Sequence, residues 1–250
     1  MVLQSSVFIL LKKRVFIHQN IPYAFNWNID HHKDKISSLN PYRQDFIKLG
    51  SYFKRISRGS IPDILFNSRE FPRISQFKIR GLKPAFITSF SKKLLREEII
   101  QFLDSTSKLP KHAQNVFKNF RMNQIGKQPN HDPVLKNILI KDKDSIAIEV
   151  PIWKKNYDNT YITGHIDLIQ IENNKVKIID YKPEGKFLLS LPQVAMYGLL
   201  MKTIFNLQEL KCISFNKNEA WEFDPEILLT NVKDYLVSHK IKDRVWEKFI

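Results

Sequence analysis

Apolar positions follow two rhythms along this chain, and the change between them falls near residue 145. Before it, the spacing is helical. Leu94, Leu95, Ile99, Phe102 and Leu103 recur on one face, which predicts a helix over Ser91–Leu103 with Ser91 as its N-cap. Val116, Phe117 and Phe120 predict a second helix over Lys111–Ile125. After it, β-branched residues dominate. Ser145–Trp153, Tyr161–Ile171 and Lys175–Lys182 read as strands, the last two joined by a turn at Glu172-Asn173-Asn174, because Asn tolerates positive φ. Leu191–Phe205 reads as a helix entered at Pro192. Short strands at Lys211–Asn216 and Ala220–Phe223 follow, with a closing helix from Pro225 to about His239.

This order predicts an α/β fold, a mixed sheet covered by helices. Residues 1–85 are interrupted by Pro22, Pro41, Pro62, Pro72 and Pro84 and read as an irregular, basic N-terminal extension ahead of a domain spanning 86–250. A first strand over Val7–Leu11 or Val15–Ile17 is the alternative for its opening part. No apolar stretch approaches the length of a membrane span by inspection, since Val7–Leu11 is broken by Lys12, Lys13 and Arg14.

Composition sharpens the picture. Forty Lys and Arg against 25 Asp and Glu give a formal net charge of +15, which draws the chain towards polyanions such as nucleic acid. The single cysteine, Cys212, cannot build a disulfide within the chain, a zinc–thiolate site or a cysteine-ligated iron–sulfur cluster. The first acidic residue is Asp30, so the opening segment is basic, apolar and acid-free, as in mitochondrial presequences.

The candidate chemistry sits in the strands. Side chains alternate faces with period two, placing Val176, Ile178, Asp180 and Lys182 on one face and Thr163, His165 and Asp167 on one face of the preceding strand. A hairpin between them brings Asp167 across from Asp180. Two carboxylates beside a lysine suit phosphodiester hydrolysis with Mg²⁺ or Mn²⁺, hard cations that prefer oxygen ligands. Aspartate is a poor strand former, so two of them inside Ile-rich strands need a reason. A lone Asp-x-Lys is a weak signal; the ordered set is stronger. Glu149 comes first, then Gly164-His165-Ile166-Asp167, then Asp180-Tyr181-Lys182, then Gln193 and Tyr197 four apart on a helix.

In that order the sequence resembles the PD-(D/E)XK nuclease superfamily, in its RecB-like exonuclease branch, over about residues 110–240. The resemblance implies a restriction-endonuclease-like core with an irregular or helical N-terminal extension. It also implies that Asp167 and Asp180 are metal ligands and Lys182 the catalytic lysine, with the Tyr181 carbonyl a further candidate ligand. Glu149, Gln193 and Tyr197 would line the site or touch DNA. Branch members also carry a metal-binding histidine ahead of the sheet, for which His131 is favoured over His112, although Pro129 and Pro133 bracket it. His165 is a candidate supporting group. Without four cysteines the chain resembles the cluster-free members, which include mitochondrial genome maintenance exonucleases acting on single-stranded DNA ends. DNA, single-stranded by preference, is thus the expected partner, and no membrane is expected. A structure-selective endonuclease, an RNA-processing nuclease and a non-catalytic nucleic-acid-binding module are the alternatives. For holding substrate, Lys92, Lys93 and Arg96 are expected to form one basic wall with Lys111, Lys118 and Arg121.

Overall fold

Residues 10–37 and 44–250 are described by a computed structural model, so part of the acid-free opening segment, including most of Val7–Leu11, lies outside the described residues. The chain opens as an antiparallel hairpin of β1 (Leu11–His18) and β2 (Ile21–Asn28), turning on Gln19 and Asn20, both with positive φ. Helices α1 (Ile29–Ser37), α2 (Gln44–Ser57) and α3 (Asp63–Asn67) follow, then a 3-10 turn at Ile74–Gln76. Next come α4 (Pro84–Arg96), β3 (Ile100–Leu103), α5 (Lys108–Met122) and α6 (His131–Lys141). The C-terminal half runs β4 (Ser145–Lys155), β5 (Tyr161–Glu172), β6 (Lys175–Tyr181), α7 (Phe187–Phe205), β7 (Leu210–Phe215) and β8 (Ala220–Phe223). A 3-10 turn at Pro225–Leu228, α8 (Asn231–Ser238) and a last 3-10 turn at Val245–Phe249 close the chain.

The strands form one mixed sheet in the order β1-β2-β4-β5-β6-β7-β8-β3. Only β6 and β7 pair in parallel among the described strands, and α7 is the crossover that a parallel pair requires. The fold is therefore mixed α/β with helices on both faces. One core cluster holds α2, α4, α7 and α8 against the sheet through residues such as Phe53, Leu94, Val194 and Leu236. The other holds α5 and α6 through Ala113, Val116, Leu135 and Ile138 against Ile148, Leu168, Ile179 and Ile213.

Several elements differ from their sequence readings. The helix expected over Ser91–Leu103 starts at Pro84 and stops at Arg96. Glu98 takes a left-handed φ of 55°, and Ile100–Leu103 pairs instead with β8 as an edge strand. Apolar residues in that short stretch satisfy either period. Pro192 lies inside α7 rather than at its entry. The closing helix is split, with a 3-10 turn ahead of α8.

The described part of residues 1–85 carries more regular structure than expected, since β1 includes the alternative strand at Val15–Ile17 and the β1–β2 hairpin extends the central sheet. The charge-rich Lys12, Lys13 and Arg14 now have a role as the guard of an edge strand. Contrary to the sequence inspection, α7 is long and apolar enough to cross a bilayer, but 72% of that stretch is buried, and it serves as the core helix of the sheet. The expected basic wall does not assemble. Helix α4 packs in the first cluster and α5 in the second, so the sheet lies between their cations.

Candidate active site

The β-register brings three carboxyl residues into one row. Leu168 pairs with Ile179, so one step along Asp167 meets Asp180, as expected. Ile148 pairs with Leu168 and Val150 with Ile166, which sets Glu149 across from Asp167 on the next strand out. This row is where alternation slips. Ile148 and Leu168 pack in the second cluster, whereas Val150 and Ile166, two residues away on each strand, pack in the first. Glu149 itself has φ 51°, a strained conformation for a non-glycine residue in mid-strand. Period-two counting therefore does not carry the face of His165 through to Asp167. Both nevertheless line one cleft.

That cleft has a volume of about 590 Å³ and draws on both helical layers. His131, the first residue of α6, and Gln193 and Tyr197 of α7 line it together with Glu149, Asp167 and Lys182. Pro133 does not disturb His131, because it occupies the first helical turn, where its missing N–H has no intrahelical partner to lose. His112 lies on α5 with Lys108, Asp142 and Lys141 as its charged neighbours, away from this constellation.

Inside the cleft the polar groups are interlocked. Lys182 Nζ lies 2.7 Å from Asp180 Oδ2 and donates to Gln193 Oε1 at 3.3 Å, while Gln193 Nε2 donates to Asp180 Oδ1 at 3.2 Å. Those partners fix which end of the Gln193 amide is which. Asp167 Oδ2 accepts from the Tyr181 N–H at 2.9 Å and lies 3.8 Å from His131 Nε2. Gly164 makes room for Tyr197, since a Cβ there would fall 2.5 Å from the Tyr197 ring.

Burying three acids together is electrostatically unfavourable, and their acidities record it. Burial, then the charges of Asp167, Asp132 and Asp180, push the Glu149 carboxyl from 4.5 up to about 8. Burial and Asp167 push Asp180 up to about 7, against the pull of Lys182. Asp167 is raised by burial, against Lys182 and the Tyr181 N–H. Burial draws Lys182 down, but Asp180 and Asp167 outweigh it and leave the ammonium above its usual range. His131 is lowered, chiefly by burial.

Among the described residues, no three His, Cys, Asp or Glu side chains are grouped so as to hold a metal ion. Asp180 is turned to Lys182 and Gln193, and Asp167 to the Tyr181 amide. The donor set still suits a hard divalent cation: three carboxyls in one row, each shifted towards its protonated form.

Two lining residues escaped the sequence reading. Tyr23 and Arg73 line the same cleft, beside His165. His165 stacks on Tyr23 with ring centroids 3.7 Å apart, and burial, His18 and Arg73 hold it well below the usual histidine range. Arg73 and Tyr23 come from the segment read as an irregular extension, and no spacing motif marks them.

No family model matches the chain, and no curated protein does. Among solved structures it is similar to that of SSO0001, at 15% identity and a TM-score of 0.27, covering 64% of this chain and 88% of the other, a likeness too slight to inform function.

Proposed function

We propose that this chain is a metal-dependent DNA nuclease, acting as an exonuclease on single-stranded ends. One observation carries the reading: Glu149, Asp167 and Asp180 occupy one row of three adjacent strands, with Lys182 ion-paired to Asp180 at 2.7 Å and all four in or beside one cleft. The order of these residues along the sequence is the order that resembles the RecB-like nucleases, and the net charge of +15 suits a polyanionic substrate. The single-strand preference, the exonuclease mode and a mitochondrial location rest on that resemblance, the last also on the acid-free opening segment.

Glu149, Asp167 and Asp180, with the Tyr181 carbonyl and His131 beside them, are the groups that would hold Mg²⁺ or Mn²⁺. Such an ion supplies Lewis-acid stabilisation of the phosphoryl group and a more acidic attacking water. Lys182 brings a fixed positive charge to the phosphate, where charge develops as the bond breaks. Gln193 holds both Lys182 and Asp180, setting the ammonium's position before substrate arrives. Tyr197, seated against Gly164, forms part of the floor.

A non-catalytic nucleic-acid-binding module is the second reading, favoured by the lack of a convergent metal-holding group among the described residues. End-labelled linear and circular single strands, duplex DNA and RNA, incubated with Mg²⁺, Mn²⁺ or EDTA, separate the readings. The proposal expects metal-dependent digestion of linear single-stranded DNA that spares the circle. Cleaved circles indicate an endonuclease, and preferred cleavage of RNA indicates an RNA nuclease. Binding without cleavage in any metal supports the module.

A further inference from the structure

We infer that Arg73 forms a phosphate-binding subsite in the wall of this cleft, held in place by a buried two-histidine relay. Arg73 is only 6% exposed, and no carboxylate is within ion-pair distance of its guanidinium among the described residues. A buried cation without a counter-charge is costly, and a site that keeps one is built for an anion that arrives later. Its Nε is buried without a partner, and the residue lines the cleft. Of the five guanidinium N–H donors, the Nε–H and one Nη1–H are left for an anion.

The rest of the guanidinium is fixed from behind. Nη2 donates to the Tyr23 hydroxyl at 2.7 Å and to His165 Nδ1 at 3.3 Å, and Nη1 donates to Gln19 Oε1 at 3.4 Å. Arginine can only donate, so His165 Nδ1 must be the acceptor. His165 Nε2 then carries the proton and donates to His18 Nδ1 at 2.9 Å. His18 Nε2 in turn donates to Asp63 Oδ1 at 3.1 Å. Every bond in this chain points the same way, from the cation in the cleft to a carboxylate at the surface, Asp63 being 57% exposed. The relay thus orients Arg73 without neutralising it, whereas a directly paired carboxylate would cancel its charge. The Arg73 backbone is tied to β5 by a bridge to Thr163.

The anion follows from the chemistry: a phosphate group of the nucleic-acid strand other than the scissile one. It is either an internal phosphodiester or a terminal monoester. Only the identity of the molecule bearing this phosphate rests on the nuclease reading. The tests read binding and not cleavage, so failure to cut DNA would overturn that reading and leave this one standing.

The full chain in Ca²⁺ is titrated with fluorescent single-stranded oligonucleotides carrying a 5′-phosphate, a 3′-phosphate or neither. Arg73→Gln is expected to weaken binding roughly 10- to 100-fold, the range for losing charge-assisted hydrogen bonds. Equal loss on all three strands assigns the internal phosphodiester, and a loss confined to one phosphorylated end assigns the monoester. A folded Arg73→Gln protein that binds all three within twofold of wild type overturns the proposal. Should Arg73→Gln fail to fold, the wild-type protein still decides. The Arg73 Nε–H resonance, identified by its absence in Arg73→Lys, is expected to move as inorganic phosphate is added. A stationary resonance overturns the subsite.

Discussion

Replacing Glu149 with Gln tests the electrostatics of the row without touching Lys182. In the folded protein burial and three neighbouring acids raise this carboxyl from 4.5 to about 8, whereas in the unfolded chain it returns to the ordinary value. Between those two pH values the folded state holds a proton that the unfolded state has released. Stability from this group therefore falls as pH rises across that window. Each pKa unit is worth about 1.4 kcal/mol, so the scale of the penalty near pH 8 is a few kcal/mol. For a chain of this size about 1 kcal/mol moves the melting temperature by about 2–4 °C. Melting is followed by circular dichroism in EDTA at pH 4.5 and pH 8. Glu149→Gln is expected to match wild type at the lower pH and to melt about 5 °C or more above it at the higher one. Taking the difference between the two proteins removes the pH dependence of the many other charges. A variant less stable than wild type at pH 8, or an offset equal at both pH values, would refute the crowding of acids on which the metal assignment depends.

Two further substitutions probe the same centre. Lys182→Met leaves Asp180, 1% exposed, without its cation. It is expected to lower cleavage by about 100-fold or more, from assays on end-labelled DNA, and to destabilise the metal-free protein more at pH 8 than at pH 5. Adding Asp180→Asn should restore the melting temperature but not the activity. Gly164→Ala would place a Cβ 2.5 Å from the Tyr197 ring and 3.2 Å from Ile74 Cβ, and is expected to cost about 1–3 kcal/mol in urea unfolding, with reduced cleavage; neutral behaviour would show that Tyr197 is not held where the cleft needs it.

The strands that build the row were legible because both the β-branched runs and the turn carried local signals. Asn173 and Asn174 do adopt positive φ, and that turn alone fixes Asp167 against Asp180. The slip in alternation at Glu149 and Asp167 was not legible. It depends on backbone strain paid out by packing on both sides of the sheet, and a single sequence shows only the period. The β1–β2 hairpin was hidden for a different reason. An edge strand with four exposed positions in succession, Lys12 to Val15, lacks the alternation that marks a half-buried strand. Tyr23 and Arg73 were lost with it, since their roles arise from long-range neighbours. The doubt over the helical setting of His131 came from Pro133, and a proline in a first helical turn is harmless.

The most direct measurement is Mn²⁺ binding followed by electron paramagnetic resonance on the full chain, compared with Asp167→Asn and Asp180→Asn. The account predicts that wild type removes free Mn²⁺ from solution with saturable stoichiometry and that either substitution abolishes or strongly weakens this while the protein stays folded. Mn²⁺ uptake unchanged in both variants, or absent from wild type with nucleic acid bound, would contradict it.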